Sequence, residues 1–327
     1  MLKIAILGSG GWGLALACTC SRLGHDVTVW SAFKDELDSI RRTGGLRSKL
    51  PGVYIPESIH LTEDISCASD KDIVLVGIPS KFVRSVCLQA KPYVSSDTIV
   101  VSTAKGLEDG SLKRMSEILS EVFVGNTVAV LTGPSHAEEV GRGMPTAVVV
   151  ASENVEAAKL IQSAFSDDVL RLYVNTDVIG CEIGGAVKNV IALCSGVIDG
   201  LGLGDNTRAA LITRGLSEIT ALGVAMGGRK DTFSGLAGLG DLIVTCTSLH
   251  SRNFRAGKLI GQGTNPEEAV RIVGTVEGYA CAAATLELAK KYGVSMPITE
   301  QINKILFEGA KPKDVVTELM QRPFRAE

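Results

Sequence analysis

A short apolar run, Ile4 to Leu7, empties directly into Gly8-Ser9-Gly10-Gly11-Trp12-Gly13, and an Ala/Leu-rich helical pattern follows. No other feature constrains the fold of this chain so strongly. A buried strand, a tight glycine turn and a helix form the opening of a βαβ unit. Gly8 permits the turn, Gly10 lets backbone approach a pyrophosphate, and Gly13 lets helix and strand pack closely. The helix N-terminus then presents unpaired N–H groups and a positive dipole end to phosphate oxygens. A glycine turn of purely structural use would carry the same letters. The strand before it and the helix after it favour a dinucleotide site.

The second strand falls at Val27–Trp30. NAD sites usually place Asp or Glu at the end of that strand, roughly 20 residues past the glycines, to hold the ribose hydroxyls. Here Ser31, Ala32, Phe33 and Lys34 follow, and Asp35 and Glu36 read as the start of the next helix. No carboxylate repels a 2′-phosphate at that point, and Lys34 can attract one. The cofactor is therefore NAD or NADP.

A chain of 327 residues has room for two domains, each with its own core. A net charge of −3 provides no basic surface for nucleic acid. Ile4–Leu7 is too short for a secretory apolar segment, and no apolar run is expected to approach the ~20 residues of a membrane helix. A cytoplasmic protein with no membrane span is expected. The eight cysteines contain no CxxC pair, and the four histidines are isolated, so reduced thiols and no metal site are expected.

The first half alternates strand and helix patterns. Continuous β-branched runs at Asp72–Ile78, Thr98–Thr103, Val128–Thr132, Thr146–Val150 and Leu170–Val174 read as strands buried on both faces of a parallel, doubly wound sheet. Ligand loops belong at their C-terminal ends. From about residue 176 the period becomes helical: Ile183, Val187, Val190, Ile191, Cys194 and Ile198 share one face, and no convincing strand follows residue 180. The expected class is α/β, with a Rossmann domain over 1–178 and an all-helical substrate domain over 179–327.

Three features of the second half carry chemistry. Lys188 shares a helix face with Cys181, Gly184, Gly185, Ala192 and Ser195, so something must approach it closely. A lysine taken out of water can serve as a general base, although a surface lysine on a glycine-tolerant helix would read similarly. Gly235, Gly238 and Gly240 break helix propensity and shape a loop that Asp241 closes, where an N-cap is the plainer role. Ser251, Arg252 and Asn253 then gather hydroxyl, guanidinium and amide, a set suited to phosphate oxygens but also to an exposed turn.

With these motifs in order, the chain resembles the bacterial-type NAD(P)-dependent glycerol-3-phosphate dehydrogenases nearly end to end. The resemblance rests on Gly8–Gly13, Ala104-Lys105-Gly106, Gly133-Pro134-Ser135-His136-Ala137, Lys188-Asn189, Gly200 to Asn206, the Gly235–Asp241 loop with Thr245, Ser251-Arg252-Asn253, and Val276-Glu277-Gly278. It implies a Rossmann domain followed by a helical domain like that of 6-phosphogluconate dehydrogenases, and it allows a homodimer. It implies that Lys188 exchanges a proton with the carbon-2 oxygen of the substrate, with Asp241 as acidic partner. Substrate contacts would be Lys105, Gly133, Ser135, Ser251, Arg252 and Asn253. Cofactor contacts would be Gly8, Gly10, Gly11, Trp12, Gly13, Ala32, Lys105, Ala137, Arg252, Thr275 and Glu277. The activity implied is hydride exchange between sn-glycerol 3-phosphate and dihydroxyacetone phosphate, feeding phospholipid synthesis. A 3-hydroxyacid or 6-phosphogluconate dehydrogenase would share fold and lysine but gives no reason for Ser251-Arg252-Asn253. A non-catalytic dinucleotide-sensing regulator would need neither Lys188 nor Asp241.

Overall fold

A computed structural model describes residues 1–323. The chain forms two compact units: Met1–Lys105 with Lys113–Glu182, and Gly106–Leu112 with Ile183 onward. The division therefore runs through a helix, and a short segment after Lys105 joins the second unit.

In the first unit the elements are β1 (Lys3–Leu7), α1 (Gly11–Arg22), β2 (Asp26–Trp30), α2 (Lys34–Thr43), β3 (His60–Thr62) and β4 (Ile73–Val76). They continue with α3 (Val83–Ala90), β5 (Ile99–Ser102), α4 (Met115–Val122), β6 (Val128–Thr132) and α5 (Ala137–Gly141). The unit closes with β7 (Thr146–Ala151), α6 (Val155–Phe165), β8 (Leu170–Asn175) and the start of α7 (Val178–Gly200). One eight-stranded sheet has the order β3-β2-β1-β4-β5-β6-β7-β8.

The apolar runs divide between the two faces with period two. Ile4, Ile6, Ile73 and Leu75 enter one core, while Ala5, Leu7, Val74 and Val76 enter the other. That is why β1 and β4 need no polar residue among these positions. The sheet is not wholly parallel, because β7 runs antiparallel to β6. The connection between them holds only the five-residue α5, too little to carry the chain back across the sheet, so β7 returns from the end that β6 reached. β8 also departs from the expectation: its Arg171 and Tyr173 are exposed, so it is not covered on both faces.

The second unit continues α7 and adds α8 (Asp205–Ala225), a π-helical segment over Leu236–Gly240, and α9 (Asp241–Thr247). It ends with α10 (Arg252–Gly261), α11 (Pro266–Val273), α12 (Glu277–Tyr292), α13 (Pro297–Phe307) and α14 (Pro312–Met320). Contrary to the expectation of no long apolar run, α7 with its 23 residues is long and apolar enough to cross a membrane. Most of it is buried inside the protein, as befits a core helix.

What approaches α7 closely is another helix. A Cβ at Gly196 would lie 2.0 Å from the Phe254 carbonyl oxygen, and one at Gly200 would lie 2.2 Å from that of Lys258. In return, Gly257 and Gly261 would bring a Cβ within 2.0 and 2.3 Å of the Leu193 and Val197 oxygens. Two glycines spaced by four on each helix let the α7 and α10 backbones touch. Gly184 accommodates the π segment likewise, at 2.6 Å from the Ala237 oxygen.

Candidate active site

Strand order reverses between β1 and β4, the switch point at which open α/β sheets bind ligands beyond the strand C-termini. There Gly8 has φ of +124°, and a Cβ on it would sit 2.6 Å from the Gly77 oxygen. Gly13 passes under the same turn, 2.6 Å from the Gly8 oxygen. Gly10 is different: its nearest protein atom would be an ordinary 3.5 Å away. The protein's own atoms leave the space beside Gly10 open.

No side chain caps α1, whose first-turn N–H groups face that space. In the same turn the buried Trp12 Nε1 has no hydrogen-bond partner among the described residues. An open N-terminus, an orphaned donor and a cradle without side chains fit a dinucleotide pyrophosphate. Gly11 has a separate reason, since a Cβ there would meet the Lys49 oxygen at 2.5 Å and the Ala137 Cβ at 3.4 Å. That contact brings Ala137, the first residue of α5, to the glycine turn.

At the end of β2, Ala32 is exposed and Ser31 is buried. Sequence order alone left this end without a carboxylate. The fold brings one back, because Glu36 on α2 turns toward the glycine loop. Its Oε2 lies 2.6 Å from Ser9 Oγ, which is also 2.7 Å from Ser31 Oγ. Lys49 in turn pairs with Glu36 at 2.6 Å.

Further along the same sheet edge, Lys105 follows β5 and Gly133-Pro134-Ser135 follows β6. Lys105 Nζ donates to the Gly133 carbonyl at 2.8 Å and to Ser135 Oγ at 3.0 Å. Ser135 Oγ also donates to the Gly133 oxygen at 2.9 Å. Three expected substrate residues thus form one hydrogen-bonded group.

In the second unit, Lys188 projects from the middle of α7 and is 5% exposed. Its Nζ donates to Asp241 Oδ1 at 2.7 Å and to Thr245 Oγ1 at 2.6 Å. Thr245 Oγ1 donates onward to the Asp241 carbonyl at 2.6 Å, so its lone pair is turned toward the ammonium. The π segment ends at Gly240 and delivers Asp241 as the first residue of α9, only 1% exposed. Cys246 beside the pair is pushed up to about 12 by burial, with Lys188 pulling the other way. It stays a thiol at neutral pH and does not compete as a base.

The Ser251-Arg252-Asn253 triple divides its labour. Ser251 Oγ caps α10 by accepting from the Phe254 N–H at 3.2 Å. Asn253 Nδ2 donates to Asn189 Oδ1 at 2.9 Å, and Asn253 Oδ1 accepts from the Gly278 N–H at 2.8 Å. These bonds fasten the start of α10 to the residue after Lys188 and to the start of α12, which carries Glu277. Thr275 lies two residues before Glu277, partly exposed. Arg252 is exposed, and its guanidinium has no hydrogen bond or ion pair among the described residues. It stands in the first turn of α10, where backbone N–H groups and the helix dipole add to its charge.

Sequence reading gave no role to Thr245, Asn189, Ser9, Glu36 or Lys49. Thr245 had a usable signal, because it stands four residues from Asp241 on one helix face. The others meet their partners only through tertiary structure.

A pyrophosphate cradle at a Rossmann switch point, together with a buried lysine fit for proton exchange, defines an NAD(P)-dependent oxidoreductase. Residues 3–158 match the family model described as NAD-dependent glycerol-3-phosphate dehydrogenase N-terminus, and residues 177–317 match the corresponding C-terminus. The chain is 50% identical to a Fusobacterium nucleatum protein named glycerol-3-phosphate dehydrogenase (NAD(P)+), over 100% of this chain and 99% of that one. It is 49% identical to a protein of the same name from Desulfitobacterium hafniense, over 98% and 92% respectively. The crystal structure of glycerol-3-phosphate dehydrogenase from Coxiella burnetii has a TM-score of 0.94 at 38% identity, over 98% of this chain and 99% of that one. The chain belongs to the NAD-dependent glycerol-3-phosphate dehydrogenase family.

Proposed function

We propose that this protein interconverts sn-glycerol 3-phosphate and dihydroxyacetone phosphate, with Lys188 as the proton-transfer group. The observation that carries the reading is the buried contact of Lys188 with Asp241 and Thr245. An ammonium has three N–H bonds. Two are fixed by these partners, which leaves the third with a defined direction.

A dinucleotide held by Gly8–Gly13 would supply the hydride chemistry at carbon 2 of the substrate. Lys188 does the complementary work. In ketone reduction it gives a proton to the oxygen on carbon 2 and stabilises the charge developing there, and in alcohol oxidation it takes that proton back. Asp241 and Thr245 hold its Nζ in place, so little reorganisation is needed at the moment of transfer. Arg252 and the first turn of α10 bind the substrate phosphate, whose binding energy orients the reacting carbon. In the first unit, Gly8–Gly13 with Trp12 and Ala137 hold the dinucleotide, and Lys105 with Ser135 contacts bound ligand beside β5 and β6. The product would supply the glycerol phosphate backbone of phospholipids, in the cytoplasm.

The test is NADH and NADPH oxidation with dihydroxyacetone phosphate against a panel of keto acids, on wild type and Lys188→Ala. Wild type turns over the phosphate substrate. The variant binds NADH within a few-fold of wild type and loses about 10²-fold or more in turnover. Near-normal turnover in Lys188→Ala would remove Lys188 from the mechanism.

A further inference from the structure

We propose that Glu36 and Lys49, held as one ion pair against the glycine turn, set the balance between NAD(H) and NADP(H). The proposal rests on the dinucleotide reading of the first unit. The end of β2 is where a Rossmann fold meets the adenosine ribose, and it is there that the two coenzymes differ. Four side chains converge at this point. Ser9 Oγ bridges Ser31 Oγ and Glu36 Oε2 at 2.7 and 2.6 Å, and Lys49 Nζ lies 2.6 Å from Oε1 and 2.8 Å from Oε2.

Neither partner is a loose surface charge. The side chains are 21% exposed for Glu36 and 34% for Lys49. Lys49 is anchored from both sides in sequence, since Leu46 and Leu50 are buried and the Lys49 carbonyl abuts Gly11. Its ammonium also lies 5.5 Å from the centre of the Phe33 ring, which is 63% exposed. The cation nearest in sequence, Lys34, is exposed and has no such partner among the described residues. The glycine at position 11 thus serves discrimination, because it lets the loop that carries Lys49 lie against the turn.

The chemistry follows from the pairing. A lone carboxylate here would accept the ribose hydroxyls and repel a 2′-phosphate; a lone ammonium would do the reverse. As a pair they are neutral and penalise neither coenzyme. Glu36 offers acceptor lone pairs to a diol, and Lys49 offers a proton to a phosphate. Removing either charge exposes the other, so the two substitutions shift preference in opposite directions.

Direct binding to the full chain, without substrate, tests this. NADH and NADPH are each titrated against the protein by nicotinamide fluorescence, and the ratio of their Kd values is compared among variants. Glu36→Gln keeps an oxygen for Ser9 and shifts the ratio about tenfold toward NADPH. Lys49→Gln shifts it about tenfold toward NADH, while Lys49→Arg keeps the wild-type ratio. The double variant Glu36→Gln/Lys49→Gln returns close to wild type. Ratios within twofold of wild type in both single variants would overturn the proposal. So would shifts in the same direction, or a larger effect of Lys34→Gln than of Lys49→Gln. A wild type that binds neither coenzyme would remove the dinucleotide reading itself, an outcome distinct from coenzymes that bind with an unmoved ratio.

Discussion

Arg252 and Lys188 both carry positive charge, and their surroundings assign them opposite work. Lys188 is buried and held at a fixed distance from a carboxylate, so its position is set before any ligand arrives. Arg252 is exposed and unpaired among the described residues, which is how a receptor for an anionic ligand looks before it binds. Ser251 and Asn253 support it by capping α10 and fixing its start. Charge-assisted hydrogen bonds are worth roughly 1.5–3 kcal/mol each. Arg252→Leu is therefore expected to raise the KM for dihydroxyacetone phosphate by about 10- to 100-fold. Unphosphorylated dihydroxyacetone should be affected much less. Steady-state kinetics on both compounds checks this, and equal losses would assign Arg252 to the cofactor or the fold. The sequence marked the triple as suited to phosphate because three polar types stand side by side. It did not show that two of the three also secure helices, since Asn189 and Gly278 are 64 and 25 positions from Asn253.

At the scale of elements, the proposed catalysis rests on how closely α7 and α10 pack, for one carries Lys188 and Asn189 and the other Arg252 and Asn253. Ridge-into-groove helix pairs usually stand 8–10 Å apart with side chains between them. Here four glycines bring the backbones into contact, so one added methyl has nowhere to go. Gly257→Ala would place a Cβ 2.0 Å from the Leu193 oxygen, and a backbone carbonyl yields only if the helices part. Overpacking of this kind costs about 1–3 kcal/mol, sometimes more, and lowers Tm by roughly 3–10 °C in a unit of this size. Turnover should fall with it, because parting the helices separates Asn253 from Asn189. Gly204→Ser is the contrasting case: nothing lies within 4 Å of a Cβ there, and serine suits that N-cap position. Thermal melts and kcat of the two variants decide the matter. The small residues around Lys188 were visible in the sequence as a face that something approaches closely, and at Gly184 and Ser195 the neighbours are the π segment and α9. The contact of Gly196 and Gly200 with α10 was not read from the sequence, since spaced glycines say how close a neighbour can come but not which one it is. Elements were legible where local pattern decides them, as in the β-branched runs of β1, β4 and β5. The three-residue β3 was not, because His60-Leu61-Thr62 is a strand only by its pairing with β2. Nor was the reversal of β7, which follows from the length of the β6–β7 connection.

For the whole molecule, one buried carboxylate outside the site ties stability to pH. Glu218 on α8 reaches the N-terminus of α13, where its carboxylate accepts from the Ile298 N–H at 2.6 Å, the Thr299 N–H at 3.2 Å and Thr299 Oγ1 at 3.1 Å. Burial nonetheless dominates these bonds and pushes the group up to about 7 from its usual 4.5, with Glu300 adding a smaller push in the same direction. A carboxyl that holds its proton more tightly folded than unfolded makes the folded state bind more protons between those two values. Stability then falls as pH rises through that window and levels off above it. Asp167, held low by backbone N–H groups and Arg22 against the opposing effect of burial, acts in the other sense, but only at pH below its ordinary range. The two windows do not overlap. At one pKa unit per 1.36 kcal/mol, Glu218 accounts for a loss of about 3 kcal/mol between pH 4.5 and 7. Glu218→Gln keeps an oxygen for both N–H groups and has nothing to titrate. Denaturant unfolding of both proteins at pH 5 and pH 8 should therefore show wild type losing about 3 kcal/mol relative to the variant on going to the higher pH. Parallel pH dependence in the two proteins would show that Glu218 is ionised throughout and that α13 is held by a carboxylate that never gives up its charge.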